Sequence, residues 1–77
     1  LTEDTRKSYV KEAKGMAEDA RIALRNVRQD ANNEIKKAEL TDDDKKDLEE
    51  EVQELINKYN KEVEDRFSKK ETELLSI

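Results

Sequence analysis

No cysteine, proline, histidine or tryptophan occurs in the 77 residues, and glycine occurs once. Each absence excludes something. Without cysteine there is no disulfide and no thiolate metal site, a usage compatible with a reducing compartment. Without histidine as well, most nucleophilic, general-base and transition-metal sites are gone. The Glu-x-x-His pairs of di-iron bundles are impossible. Tyr9 and Tyr59 are too few and too far apart to form a base-stacking platform. No run approaches the ~20 apolar residues of a membrane span, and no signal-peptide pattern is present. A chain with no proline and one glycine has little to interrupt a helix.

What remains is charge on a thin apolar framework. Asp, Glu, Lys and Arg make up 48% of the chain and apolar residues 32%. That balance fits long helices, and by composition alone it also fits disorder. The apolar spacing decides for helix. From Val10 the small and apolar residues run Val10, Ala13, Ala17, Ala20, Leu24, Val27, Ala31. Steps alternating between three and four make one helical seam, which continues through Ile35 and Ala38. Thr2 is a good N-cap, with Glu3 and Asp4 in the first turn where the helix dipole favours acids. Gly15 faces away from the seam and reads as a tolerated surface residue.

Thr41-Asp42-Asp43-Asp44 repeats the start signal: a capping hydroxyl, then acids in the first turn. These aspartates lack the alternation and central glycine of a calcium loop. A second seam follows at Leu48, Val52, Leu55/Ile56, Tyr59, Val63, Phe67 and Leu74, interrupted by Lys70. On this pattern Tyr59 belongs to the core. The prediction is an all-α fold: one hairpin over residues 1–77, with a helix over about 3–38, a turn at about 39–41 and an antiparallel helix over about 42–75. A single continuous helix is the alternative, since no Pro or Gly marks the turn. Met16 and Ala23 widen the first seam beyond what one partner helix covers, so a third helix or a second copy of the hairpin is expected. Either a dimer of hairpins or a marginal monomer follows.

Charge is shared unevenly. The formal net charge is −5, made of +1 over residues 1–40 and −6 over residues 41–77. Moving one residue on from each seam position gives Lys11, Lys14, Glu18, Arg21, Arg25, Arg28 and Asn32, with Lys7 and Lys36 at either end. A basic stripe therefore runs beside the apolar seam, about 100° around the helix. Arginine holds its centre, and a planar, weakly hydrated guanidinium suits phosphate and nucleic-acid recognition. Such contacts set affinity and orientation more than base sequence. The competing account is internal: Glu51, Glu54, Glu62 and Asp65 of the acidic second helix pair with the arginines, each contributing only ~0–1 kcal/mol. On that account the chain is a structural, self-associating hairpin with no RNA role. A membrane-surface helix is disfavoured, because alanines dominate the apolar side and bulky anchors are missing.

Several stretches carry a family resemblance. Leu1-Thr2-Glu3-Asp4 with Arg6-Lys7, Ala17-Glu18 with Ala20 through Arg28, and Asp30-Ala31-Asn32 resemble the ribosome-recycling factor family. So do Asp42-Asp43-Asp44, Glu51-Val52-Gln53 with Leu55, and Lys70-Glu71 with Glu73-Leu74. The segment Arg25-Asn26-Val27-Arg28 is the specific part. The resemblance implies the last two helices of a three-helix bundle, without the first helix and without the β-rich domain inserted after it. It implies a cytoplasmic, non-enzymatic translation factor with no cofactor. That factor binds large-subunit ribosomal RNA and, with elongation factor G, splits ribosomes after termination. The RNA-binding residues it implies are Arg25 and Arg28, with Arg21 and Arg6 in support; Lys7, Lys11 and Lys14 join them on the stripe. Two departures stand out. Gln29 occupies a position where the family usually has Arg, and the turn after Lys36-Lys37 is about four residues shorter than the usual pattern.

Overall fold

A computed structural model describes residues 2–76; Leu1, quoted above in the family-like opening, lies outside the described residues. Two α-helices, α1 (Glu3–Lys37) and α2 (Asp42–Leu75), pack against each other as an antiparallel hairpin, and no strand occurs among the described residues. Both helices begin where a threonine can cap them. Thr2 Oγ1 accepts from the Thr5 backbone N–H and Thr41 Oγ1 from that of Asp44, each at 3.2 Å. Each bond satisfies one of the donors that a helix start leaves without an intrahelical partner.

The turn is compact. Ala38, the C-cap of α1, is extended, as is Thr41. Between them Leu40 N–H donates to Ala38 O at 3.0 Å, a three-residue turn. Lys45, in the first turns of α2, donates from Nζ to Lys36 O at 3.0 Å, supplying a partner for a carbonyl in the last turn of α1. Caps on both sides and a cross-turn bond separate the helices without proline or glycine, so the continuous-helix alternative is not adopted.

The interface is lean. Among the described residues only Ala17 (8% exposed) and Ile56 (6%) are buried. Val10, Ala13, Ala20, Leu24, Ala31 and Ile35 of α1 and Val52, Asn60, Val63, Phe67 and Leu74 of α2 are half-buried around them. Three seam expectations are corrected. Val27 (59% exposed), Tyr59 (47%) and Leu48 (37%) face outward. Arg28, Asn60 and Glu49, each the next residue along, take the more buried places. Of the pair Leu55/Ile56, Ile56 takes the seam and Leu55 (54%) faces outward. The cause is geometric: a strict three-four alternation repeats every 3.5 residues, whereas a straight helix turns every 3.6, so the stripe drifts ~20° per heptad.

The molecule is a rod of 58 × 15 × 8 Å by Cα positions. Its accessible surface is 6266 Å², against the ~4,900 Å² expected of a compact protein of this mass. One flank is open and apolar. There Tyr9, Ala13, Met16, Ala20 and Val27 of α1 and Tyr59, Val63, Phe67 and Leu74 of α2 line an open apolar groove. Among the described residues no helix is long and apolar enough to cross a membrane.

Candidate nucleic-acid interface

The opposite flank is basic. At 100° per residue, Arg21, Arg25 and Arg28 fall within about 60° of arc on α1, and Lys7, Lys11, Lys14 and Lys36 extend the same line. Met16 and Val27, on the groove side, lie nearly half a turn away. The α1–α2 seam runs between the two flanks, so apolar and basic surfaces do not mix. Lys7 to Lys36 covers ~44 Å of helix.

Within the stripe the three arginines differ. Arg25 is exposed and forms no ion pair or side-chain hydrogen bond among the described residues. Arg21 is half-buried: its Nη2 pairs with Glu64 Oε2 across the hairpin, and its Nη1 lies 3.5 Å from Glu18 Oε2. Arg28, also half-buried, donates from Nη1 to Gln53 Oε1 at 3.4 Å and meets no carboxylate within ion-pair distance among the described residues. The internal-pairing account thus holds for Arg21 alone, and through a different partner than expected. Among the described residues Glu51, Glu54 and Asp65 form no ion pair with the stripe, and Glu62 pairs within α2 with Arg66 at 2.7 Å.

The lysines of the stripe are exposed. Lys7 Nζ lies 3.4 Å from Glu3 one turn earlier, a contact with both side chains in solvent. Lys11 and Lys14 form no ion pair among the described residues. Arg6 is not brought to this flank. It sits about a quarter-turn round, toward α2, half-buried, with its Nε lacking a hydrogen-bond partner.

Toward the turn the stripe hollows into a polar cleft of about 280 Å³ lined by Arg25, Arg28, Gln29, Asn32, Asn33 and Lys36. Asn32 Oδ1 is buried there without a partner. Three positive side chains and three amides in one hollow can receive a phosphodiester and an adjoining sugar hydroxyl: guanidinium forks take the anion and amides take either donors or acceptors. Gln29 lines the hollow as an uncharged residue beside the three cations. Sequence reading placed Asn32 and Lys36 on the stripe but gave them no role. It also missed Gln53, which meets Arg28 from α2, and Asn57, which bonds Gln53. The antiparallel register, set by the position of the turn, was the signal that could have found them.

The profile of the ribosome recycling factor family matches residues 1–75. The chain is 48% identical over 81 residues to the ribosome-recycling factors of Alkaliphilus metalliredigens and Caldicellulosiruptor saccharolyticus, and 43% identical to that of Pseudomonas putida. Each match takes in all of this chain and 44% of the relative, so the chain spans less than half the length of the relatives it matches. An aligned stretch of 81 positions exceeds the 77 residues here, so at least four positions face a gap in this chain. No solved structure matches it. A match along nearly the whole length, on a hairpin whose one flank is basic, makes the assignment plain: the chain belongs to the ribosome recycling factor family.

Proposed function

We propose that this hairpin binds the ribosomal RNA of the large subunit through the flank centred on Arg25 and Arg28. The observation that carries the reading is the state of those two side chains. Lying one turn apart on one helix, neither forms an ion pair with a carboxylate among the described residues, although the chain has 21 acidic residues. Lys7, Lys11 and Lys14 add diffuse attraction along the same line, and Lys36 adds it at the cleft. Arg21 contributes less, because its charge is spent on Glu64 and Glu18. Arg6 supports the hairpin more than the RNA.

In the complete protein the hairpin supplies two helices of a three-helix bundle, with the first helix of the parent lying in the apolar groove. The recycling step, splitting of ribosomes after termination together with elongation factor G, belongs to that complete protein. It acts in the cytoplasm by binding and leverage and catalyses no reaction. Four positions missing at the turn would shorten the hairpin tip by about one helical turn and leave Arg25 and Arg28 in place.

The apolar groove favours a second reading, a self-associating structural hairpin. One experiment separates the two. Arg25→Ala and Arg28→Ala, singly and together, are titrated against purified large ribosomal subunits over a salt series. RNA binding predicts weaker complexes and a log–log salt slope shallower by about one per arginine removed. Binding that is weak and unchanged, with only the melting temperature or oligomeric state altered, would establish the structural reading instead.

A further inference from the structure

The second helix treats the arginines of the stripe unequally. Where Arg21 meets α2 it finds the carboxylate of Glu64; where Arg28 meets α2 it finds the amide of Gln53. The orientation of that amide is fixed by a second bond. Gln53 Nε2 donates to Asn57 Oδ1 at 2.9 Å, one turn further along α2, which leaves Oε1 turned toward Arg28. A neutral acceptor holds a guanidinium without cancelling its charge. At 3.4 Å the bond is long enough to give way readily to a stronger acceptor, and a phosphate oxygen is one.

We propose that Gln53, aligned by Asn57, is a positioning residue of the RNA-binding flank: it parks Arg28 beside Arg25 with its charge intact and releases it to an incoming backbone phosphate. The proposal rests on the RNA-binding reading above and adds that α2, though acidic overall, offers a neutral amide where it meets Arg28. In an α2 with thirteen acidic residues over positions 41–77, a carboxylate at position 53 would convert Arg28 into a copy of Arg21, paired within the hairpin and withdrawn from the ligand.

The test is the isosteric change Gln53→Glu, alone and combined with Arg28→Ala, beside Gln53→Met, which keeps the bulk but removes the acceptor. Each variant is titrated against purified large ribosomal subunits from low to high salt, with helicity followed by circular dichroism to confirm that the hairpin is kept. Gln53→Glu is expected to make the salt slope shallower by about one, as Arg28→Ala does, and to add nothing further in the Arg28→Ala background. Gln53→Met is expected to weaken binding a few-fold at unchanged slope, since the charge of Arg28 remains. The proposal is overturned if Gln53→Glu leaves the slope alone, if it lowers affinity equally with and without Arg28, or if Glu and Met at position 53 act alike. Those results leave the RNA reading standing as long as Arg25→Ala and Arg28→Ala weaken the complex. Should neither arginine matter, the RNA reading falls and takes this proposal with it.

Discussion

At the scale of single residues, what surrounds a side chain decides its role more than its type does. Arg21, Arg25 and Arg28 are identical groups a turn apart, yet one is an internal strut, one stands in solvent and one rests on a neutral amide. Gly15 shows the same dependence from the opposite side. A Cβ built there meets nothing within 4 Å, and the residue sits in the interior of a helix. Nothing in the fold uses its lack of a side chain, so it carries the backbone-entropy cost of glycine without a compensating contact. Gly15→Ala is expected to stabilise the hairpin by ~1 kcal/mol. Thermal melting followed by ellipticity at 222 nm checks it, and a lower melting temperature would reveal a close approach at this position in the folded assembly.

At the scale of the element, start signals were more legible than stripe positions. Thr2 with Glu3 and Asp4, and Thr41 with three aspartates, are local: hydroxyl and backbone donor are three residues apart, and no distant partner decides the outcome. Thr41→Ala therefore removes a bond that no neighbour replaces and is expected to destabilise by about 1 kcal/mol. Thr41→Ser should restore most of that loss, and denaturant unfolding of the pair measures both. The position of each residue around its helix was less legible, because a pattern written at 3.5 residues per turn only approximates a helix that turns every 3.6. Tyr59 and Val27 satisfy a heptad written on paper, yet in a straight helix they drift toward the open flank while Asn60 and Arg28 turn toward the seam. The same drift explains the site. Arg25 and the lysines were readable as a stripe, whereas the bond from Arg28 to Gln53 depends on two drifts and a register that only the folded hairpin fixes.

At the scale of the whole molecule, thinness is the dominant property. Two buried side chains and a rod 58 Å long do not hold two 35- and 34-residue helices together with much margin. The groove flank also exposes Met16, Val27 and Tyr59 at 67%, 59% and 47%, which is costly if left to water. In isolation the chain has one ready source of cover, another copy of itself, because an apolar flank is self-complementary about a two-fold axis. The basic flank on the far side would then stay outward in both copies. The isolated 77-residue chain is accordingly expected to associate with rising concentration and to melt at a temperature that rises with it, since only the folded state associates. Sedimentation equilibrium over a hundredfold range of concentration reads the first and melting at each concentration the second. Met16→Lys with Tyr59→Lys, both on the groove, should abolish both effects while keeping the salt-dependent affinity for large subunits, because neither touches Arg25 or Arg28. A compact monomer whose melting temperature ignores concentration would mean that the hairpin closes its own groove, and the need for a third helical element would disappear with it.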